Sequence, residues 1–573
     1  MNYKFQAELI PTEYFWLGFA SVLLSLGWLL PNHSLPWTSF HSDAWLAFVL
    51  SITGIVVLLM AKNSMNFYAM NLFSGAMLLI PVFQYFYGIL AFFEQSLISV
   101  LYIAGFLFCQ LIGQQWQKWR PLGVGNFLFS AIGIAAIASV GLQLYQWLGL
   151  TRENKMTDIW ILALEGGRPY ANLGQPNQLS TLLLWGLLAC AWGTWRKHIS
   201  NITAIFIAVF ILLGLALTQS RSGMIGLCVL IFACWWWIPF KNKRGIRIVT
   251  GGLGIFYFFA LWIIGPLSRF MLLDDASSVL DTSSAHLRLL AWQMLLDAIA
   301  QKPWQGYGWN GVMSAHLLVG DQHKDVGQLF AQSHNLFLDF FVWNGIPIGM
   351  ALSVFFILWF GIAIRRTNQL PECLYILILA VVGVHSMLEF PLHYAYFLFP
   401  AGIVVGILNE SHKIYLLSEL GAVARGMLYC FYLTVLLVFG FVVRDYFYIE
   451  QASVDIRFQG ANIKSAERAS VPDVIILNKQ RAQLEFFLIE PHAGASNAEI
   501  KKAEALAYST PSYFNMMKLI TLLALNNHIE KAEWWMRKVP YVLDADLRKS
   551  IDEYWSQIRN TYPTLKELNW VAN

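Results

Sequence analysis

A histidine and an asparagine stand side by side where a polar loop gives way to an apolar run. The segment reads Ser333-His334-Asn335-Leu336-Phe337-Leu338-Asp339. An imidazole takes a proton near neutral pH, which suits a general base acting on a hydroxyl. Asn335 and Asp339 would share one face of a helix, so the polar character continues into the apolar run. The segment predicts a catalytic histidine at the mouth of a membrane helix, with an ordinary helix-start residue as the alternative.

Two arginines lie where a membrane protein has little structural use for a charge. Arg221 falls in a turn, Thr218-Gln219-Ser220-Arg221-Ser222-Gly223, between two apolar runs, and Arg288 falls on an amphipathic segment of a long loop. An arginine near membrane depth is costly, which favours contact with an anion such as a phosphate. The alternatives are snorkelling to the headgroups for Arg221 and a solvated charge on an interfacial helix for Arg288.

A third segment is rich in side-chain amides. Residues 168–178 read Arg-Pro-Tyr-Ala-Asn-Leu-Gly-Gln-Pro-Asn-Gln, just before an apolar run. The amides of Gln175, Asn177 and Gln178 suit the hydroxyls of a sugar or the oxygens of a phosphate. Asn177 could also cap the helix that follows.

Three residues have a spacing that could bind a metal ion. His385, Glu389 and His393 are four residues apart in turn, which would align them on one helical face. Pro391 interrupts that helix, so we expect no metal there. A polar patch lining an outer cavity, with Tyr394 and Tyr396, is the favoured interpretation.

Composition indicates which elements must position these residues. The chain has 573 residues, 57% of them hydrophobic and only 13% charged, whereas a soluble protein carries about 25% charged residues. This predicts an all-α polytopic transmembrane helix bundle of about 12–14 spans. The net charge of +4 is spread over loops, so no nucleic-acid partner is expected. The expected spans are 14–31, 44–60, 66–81, 96–113, 124–148, 178–195, 201–218, 222–240, 248–266, 335–363, 371–388, 394–409 and 426–443.

Loop charges predict the orientation of the bundle in the membrane. Basic residues collect in alternate loops, whereas the loops at 32–43, 82–95 and 389–393 contain no Lys or Arg. The basic positions are Lys62, Lys118 with Arg120, Arg196 with Lys197, Lys241 to Arg244, Arg365 with Arg366, and Lys413. The positive-inside rule then places the N-terminus in the cytoplasm and the C-terminal tail outside.

The same pattern divides the chain into four parts. We expect N-terminal transmembrane helices over 1–266, an outer loop with an amphipathic helix over 267–334, and further transmembrane helices over 335–443. The tail, 444–573, becomes charged and takes a helical period. Residues 513–538 read as two helices broken at Asn526-Asn527, which is compatible with a tetratricopeptide-like domain without a clean repeat.

Taken together, the ordered motifs resemble the O-antigen ligase/polymerase superfamily. These motifs are Asn172 to Gln178, Ser220-Arg221-Ser222-Gly223, Arg288 with Ala291-Trp292, Pro303-Trp304-Gln305-Gly306-Tyr307-Gly308, and Ser333-His334-Asn335. The Gly-Gln-Pro-Asn-Gln segment and the segment from His385 to Pro391 resemble in particular its PglL-type branch, the O-oligosaccharyltransferases of pilins. The chain departs from the pattern in the extra histidines His316 and His323.

The resemblance implies an enzyme of the bacterial inner membrane with a periplasmic active site and tail. Such an enzyme moves an oligosaccharide from undecaprenyl pyrophosphate to a Ser or Thr hydroxyl of a periplasmic protein such as a pilin, without metal or other cofactor. By resemblance, Arg221 and Arg288 would bind the pyrophosphate and His334 would serve as general base or orient the hydroxyl. The remaining substrate contacts would come from Gln175, Asn177, Gln178, Asn335, Glu389, Tyr394 and Tyr396.

Two other functions stay open. Transfer of the glycan to another glycan, by a ligase or polymerase, uses the same chemistry and the same motifs. A transporter of a polar substrate would carry charges at midplane in several helices. Here the charges gather at the outer ends, which favours a one-sided site.

Overall fold

A computed structural model of the chain describes residues 11–61, 64–153, 159–164, 167–239, 243–271, 273, 283–324, 327–461, 463, 470–542, 551–562 and 565. These residues are mostly helical with almost no strands, which confirms the predicted all-α architecture. In chain order the helices are α1 (Pro11–Ser25), α2 (Phe40–Met60), α3 (Ala69–Met77), α4 (Leu79–Phe86), α5 (Phe93–Trp119), α6 (Gly123–Trp147), α7 (Leu150–Glu153), α8 (Pro176–Trp195), α9 (Asn201–Leu217), α10 (Arg221–Phe232), α11 (Lys243–Phe270), α12 (Ser283–Gln301), α13 (Val312–Val319), α14 (Leu336–Arg366), α15 (Leu370–Ser386), α16 (Ala395–His412), α17 (Ala422–Gly460), α18 (Asn478–Leu488), α19 (Asn497–Ser509), α20 (Tyr513–Leu525), α21 (Ile529–Lys538) and α22 (Ile551–Thr561).

Short irregular segments complete the described chain. Four 3₁₀ turns cover Leu26–Trp28, Gly320–Gln322, Pro391–His393 and Val539–Tyr541, and a π-helical turn, Ala233–Trp237, continues α10. Two strands, β1 (Met65–Tyr68) and β2 (Leu416–Leu420), pair antiparallel with Met65 opposite Leu420.

Seven helical stretches of the described residues have both the length and the hydropathy of a membrane span. They are Phe40–Met60, Ala69–Phe86, Phe93–Trp119, Gly123–Trp147, Lys243–Phe270, Leu336–Arg366 and Ala422–Gln459. Four shorter apolar helices, Phe15–Trp28, Asn201–Leu217, Arg221–Trp237 and Leu370–Ser386, also fall on predicted spans. The remaining two predicted spans fall on α8 and α16. The polytopic membrane class is therefore confirmed, and each of the thirteen predicted runs overlaps a helix.

The chain divides into two compact units, and the first comprises residues 1–75, 102–281 and 358–436. Its central helix is α8, which packs against α6, α9, α10 and α15. Helices α5 and α16 approach each other closely, since a Cβ on Gly406 would meet the backbone of Gln110. Small residues of this kind let membrane helices pack backbone against backbone.

The second unit comprises residues 76–101, 282–357 and 437–573. Its described tail helices pack as antiparallel pairs, α19 with α20 and α20 with α21, around Met516, Leu523 and Trp535. The turn between α20 and α21 lies at Asn526-Asn527, as the sequence predicts. Asn527 has a φ of 61°, a left-handed conformation that Asn tolerates better than most residues.

The helix of the last predicted span is longer than that span. The span was expected to end at residue 443, and α17 continues without interruption to Gly460. The charged pair Arg444-Asp445 does not end the helix, because the Asp445 carboxylate has partners of its own. It accepts hydrogen bonds from the backbone N–H groups of Ile475 and Ile476 at 2.8 and 2.6 Å. A buried carboxylate satisfied in this way is compatible with a continuous helix.

Candidate active site

His334 sits in a strained turn of the second unit. Its φ is 57°, a left-handed conformation that costs a non-glycine residue roughly 1–3 kcal/mol. Hydrogen bonds on both sides hold the turn in place. The Ser333 N–H donates to Asp339 Oδ1 at 3.0 Å, and the Ser333 hydroxyl donates to the Asn335 carbonyl at 2.8 Å. Strain that neighbouring contacts maintain is typical of functional positions.

The residues after His334 start α14. Asn335 Oδ1 accepts hydrogen bonds from the backbone N–H groups of Phe337 and Leu338 at 3.1 and 3.2 Å, which caps the helix. Asp339 is only 2% exposed, and its Oδ1 accepts a hydrogen bond from the N–H of Ser333, the residue before His334. The polar face predicted from the spacing therefore has structural partners, and it also sets a carboxylate near the imidazole.

Helix α12 brings Arg288 to the same region of the second unit. The Trp292 indole Nε1 donates a hydrogen bond to the Ser333 carbonyl at 2.7 Å. Arg288 lies four residues before Trp292, so both project from one face of α12. The half-buried Arg288 thus lies one helical turn from Trp292, whose indole fixes Ser333, the residue before His334. The helix predicted for this loop is confirmed.

The Pro303 to Gly308 motif stabilises a break in α14. Gly345 interrupts this helix with φ 74° and ψ −179°, a conformation open essentially to glycine alone. The freed backbone groups pair with the motif: the Tyr307 and Gly308 N–H groups donate to the Val342 and Trp343 carbonyls at 2.8 and 3.0 Å. The Ile346 N–H donates to the Pro303 carbonyl at 2.7 Å. This part of the motif pattern is structural and sets the direction of α14, which begins at Leu336.

Gln84 completes the same arrangement, and sequence reasoning missed it. Its Nε2 donates to the Trp343 carbonyl and to Asn344 Oδ1, both at 3.0 Å, while its Oε1 accepts from the Trp309 N–H at 2.8 Å. A glutamine in an apolar helix is the only local signal, and it does not identify partners more than 200 residues away.

In the first unit, Asn177 joins two distant segments. Its Nδ2 donates to Glu389 Oε1 at 2.9 Å, and its Oδ1 accepts from the Ser220 hydroxyl at 2.7 Å. The helix-capping alternative is wrong, because α8 begins at Pro176 and Gln175 is the cap residue. Proline suits the first helical position, where its missing N–H has no cost. Asn177 is therefore the second residue of the helix, and its side chain is available to Glu389.

Ser220 places Arg221 at the start of α10. The Ser220 hydroxyl accepts a hydrogen bond from the Gly223 N–H at 3.0 Å, which makes Ser220 the N-cap and Arg221 the first helical residue. Gln219, one residue earlier, has a φ of 45°, and its carbonyl accepts from Arg168 Nη1 at 3.1 Å. The turn expected around Arg221 is the start of a helix, where the dipole also favours an anion.

Arg168 is a candidate that sequence reasoning did not single out. Burial lowers the pKa of Arg168, and nearby Arg221 acts in the same direction, whereas Glu389 opposes both. Two guanidinium groups and one carboxylate therefore share a half-buried region. Like charges brought together out of water are costly unless an anion offsets them. We refer to Arg168, Asn177, Ser220, Arg221 and Glu389 as the arginine cluster.

The two glutamines differ in exposure. Gln178 is fully buried, and its Nε2 lies 3.4 Å from the Oε1 of the half-buried Gln175. The Oε1 of Gln178 has no hydrogen-bond partner within the described residues. The buried Gln178 therefore contacts and supports the side chain of Gln175. Only Gln175 is exposed enough to contact a substrate.

The two tyrosines near residue 395 also differ in their exposure. Tyr394 is half-buried and its ring stacks on Tyr396 with centroids 5.0 Å apart, whereas Tyr396 is fully buried. The Asp43 carboxylate accepts from the Ala395 N–H at 2.7 Å and so fixes the start of α16. Tyr394 can line a cavity, and Tyr396 supports it.

His385, Glu389 and His393 do not share one helical face, as the position of Pro391 predicts. Helix α15 ends at Ser386, and Pro391–His393 forms a separate 3₁₀ turn. The buried His385 has its Nδ1 2.7 Å from the Thr181 hydroxyl, while Glu389 pairs with Asn177. Across the part of the chain that the structure describes, no group of three His, Cys, Asp or Glu residues is placed to hold a metal ion.

Three family models match the chain. The one described as O-antigen ligase matches residues 206–353, which contain Arg221, Arg288 and His334. A second, described as protein glycosylation ligase, matches 169–192. A third, described as virulence factor membrane-bound polymerase, C-terminal, matches 373–551.

Two curated relatives come from Acinetobacter baylyi. The chain is 28% identical over 530 residues to a general O-oligosaccharyltransferase, covering 90% of both chains. It is 32% identical over 253 residues to a ComP-specific O-oligosaccharyltransferase, covering 43% of this chain and 45% of the relative. No solved structure matches the chain. The resemblance predicted from the ordered motifs is confirmed.

Proposed function

We propose that this chain, a relative of the O-oligosaccharyltransferases, transfers an oligosaccharide from a lipid-linked donor to a hydroxyl of an acceptor protein. The single observation that carries the assignment to chemistry is the turn at His334. Its backbone is held in a left-handed conformation, and the preceding Ser333 N–H donates to the Asp339 carboxylate. The names of the two relatives, one general and one ComP-specific, support a protein acceptor.

The donor in this proposal is an oligosaccharide on undecaprenyl pyrophosphate. Arg221 and Arg288 bind the pyrophosphate and offset the charge that grows as the glycosidic bond breaks. We add Arg168 to this group, since it shares a half-buried region with Arg221. Guanidinium groups suit phosphate oxygens because they donate two hydrogen bonds in one plane.

His334 acts on the acceptor. The oxygen of a Ser or Thr side chain attacks the anomeric carbon, and the bond from that carbon to the phosphate oxygen breaks. The hydroxyl proton passes to the imidazole of His334, and undecaprenyl pyrophosphate leaves. Asp339 stabilises the imidazolium that forms, since its carboxylate binds the Ser333 N–H beside His334.

The remaining polar residues orient the glycan. Gln175 and Tyr394 offer partly exposed groups, while Gln178 and Tyr396 stand behind them. The Asn177 side chain is hydrogen-bonded to Glu389 and to Ser220 at the start of α10. The Asn335 side chain caps the start of α14. Hydroxyl and amide groups of this kind suit the many hydroxyls of a sugar.

We further propose that the reaction takes place on the periplasmic side of the bacterial inner membrane. The supporting observation is the alternation of basic loops, from which the positive-inside rule predicts a cytoplasmic N-terminus and a periplasmic tail. A pilin is the proposed acceptor, because the resemblance to the PglL-type branch implies one.

A second function is transfer of the glycan to another glycan. It is favoured by the O-antigen ligase match over 206–353 and by the membrane-bound polymerase match over 373–551. The chemistry at the anomeric carbon is the same. The difference is that the attacking hydroxyl belongs to a glycan and not to a protein.

The test is co-expression of this chain with a lipid-linked glycan pathway and a candidate pilin, followed by mass spectrometry of the pilin. A glycan on the pilin, absent with His334→Ala, supports protein transfer. An unmodified pilin together with longer glycans on lipid supports the polymerase alternative and overturns the first.

A further inference from the structure

Two histidines of the second unit lie outside the family motifs, and they have different surroundings. His316 lies in α13 and is only 1% exposed. His323 lies seven residues later, with its Nε2 3.1 Å from the carboxylate of the exposed Asp297. A buried histidine needs partners for both ring nitrogens, and the identity of those partners indicates its role.

Both ring nitrogens of His316 have backbone partners. The Phe330 N–H donates to Nδ1 at 3.2 Å, and Nε2 lies 3.1 Å from the Tyr541 carbonyl oxygen. Since an N–H can only donate, Nδ1 carries no proton, and Nε2–H donates to Tyr541. Burial lowers the pKa of His316 to about 4, so the ring stays neutral at working pH.

The ring of His316 also forms a chain of contacts that ends at His334. It stacks on the Phe330 ring with centroids 6.3 Å apart and planes 24° apart. Phe330 in turn meets the His334 ring edge to face, with centroids 5.8 Å apart. Phe330 is itself buried, so its ring has little freedom to move.

The tail helices hold α13 at two further points. The Lys538 ammonium donates to the Leu318 carbonyl at 2.7 Å and pairs with Asp321. The Ser314 hydroxyl donates to the Tyr508 carbonyl at 3.0 Å. His316 is thus fixed on one side by the tail and holds the loop before His334 on the other.

On the basis of the proposed function, we infer that His316 is a positioning residue for the reaction, which locks the loop carrying His334 against the C-terminal helices. Nδ1 of His316 accepts the hydrogen bond from the Phe330 N–H and so fixes the position of the Phe330 backbone. The Phe330 ring then limits the positions that the His334 imidazole can take. The C-terminal helices therefore support the rate of the chemical step in addition to any contact with the acceptor.

The two bonds of His316 can be removed one at a time. An asparagine amide reaches the position of Nδ1, so His316→Asn keeps an acceptor for the Phe330 N–H and loses the bond to Tyr541. A glutamine amide reaches the position of Nε2, so His316→Gln keeps the donor to Tyr541 and loses the bond to Phe330. His323→Asn is the matched control, because the His323 ring contacts Asp297 on α12.

The measurement is glycan transfer by each purified full-length variant at saturating donor and acceptor. We expect His316→Gln to lower kcat about 10- to 100-fold with KM little changed, because misplacing a catalytic group acts on the chemical step. His316→Asn should stay close to wild type, as should the control. Equal rates in both His316 variants, or a larger loss with Asn than with Gln, would overturn the inference.

Hydrogen exchange at the Phe330 amide gives a readout that does not depend on activity. The amide should exchange faster in His316→Gln than in His316→Asn, and an equal rate in both would contradict the inference. If wild type transfers no glycan, the proposed function fails while this exchange test still stands. Should His316→Gln fail to fold, Phe330→Leu replaces it: that variant keeps the N–H, loses the ring contact and should lower kcat with KM unchanged.

Discussion

The side-chain amide of Asn177 donates a hydrogen bond of 2.9 Å to the carboxylate of Glu389, a residue 212 positions later in the chain. The bond ties the second residue of α8 to the segment after α15, and the other side of the amide accepts from Ser220. The amide therefore has one fixed orientation, with the nitrogen toward Glu389. This orientation keeps the Glu389 carboxylate near Arg168.

The first prediction concerns the charge balance of this bond. Asn177→Asp keeps the acceptor for Ser220 but sets a second carboxylate against Glu389. Since a lost hydrogen bond to a charged group costs about 1.5–3 kcal/mol, we expect about a 10- to 100-fold fall in kcat/KM for glycan transfer. Adding Glu389→Gln restores a donor and a single negative charge, so the double variant should recover most of that loss. A double variant weaker than Asn177→Asp alone would contradict the assigned bond.

Arg168 gives the second prediction. If Arg168 binds the pyrophosphate with Arg221, then Arg168→Ala should raise KM for the lipid-linked donor about 10-fold, because a charge-assisted contact is lost. Arg168→Lys should recover part of the affinity, since the charge remains and the planar fork is lost. Arg457→Ala, at an exposed position on α17, is the control and should leave KM unchanged. An unchanged donor KM in Arg168→Ala would remove Arg168 from the site.

Gly345 gives a prediction on stability. Its φ of 74° strains any side chain, and a Cβ there would lie 2.6 Å from the Pro303 carbonyl oxygen. We expect Gly345→Ala to lower the free energy of unfolding by at least about 1–3 kcal/mol. Gly361→Ala is the matched control on the same helix, where a Cβ would meet no neighbour within 4 Å. The measurement is thermal unfolding in detergent. An equal loss of stability in the two variants would contradict the assigned break in α14.

His316 predicts a dependence of stability on pH. Burial lowers the pKa of His316 from 6.5 to about 4 in the folded protein, so between these values the unfolded chain binds a proton that the folded chain does not. The contribution of neutral His316 to the free energy of unfolding is therefore fully present above pH 6.5. It is lost as pH falls toward about 4, and the loss is about 3 kcal/mol at most. Tm should fall less steeply over this window in His316→Asn than in wild type or His323→Asn. Identical slopes in all three would contradict a buried neutral His316.

The sequence was informative wherever a single continuous run decides the outcome. The apolar runs 44–60 and 124–148 are the helices Phe40–Met60 and Gly123–Trp147, because length and hydropathy alone specify a span. The break between α20 and α21 was predictable for a similar reason, since Asn526-Asn527 is a local turn signal.

What depends on partners distant in sequence could not be predicted. The break in α14 has local signals in Gly345 and Pro347. It is stable because Pro303 and Tyr307 supply the missing backbone partners, and those partners could not be identified from the sequence. Likewise, Asn177 looked like a helix cap, and only its contact with Glu389 shows another role. The roles of His334, Arg221 and Arg288 came from residue type and motif order, and they stand as proposals.

The most direct test of the central claim is the rate of glycan transfer in a single turnover by His334→Ala, with the folded and inserted protein saturated with the lipid-linked donor and an acceptor pilin. Loss of a general base lowers a rate about 10²–10⁴-fold, so we predict a fall of that size with donor binding intact. A matched variant, His323→Asn, should transfer glycan at the wild-type rate. Transfer by His334→Ala at the wild-type rate would contradict the assignment of His334 as the base.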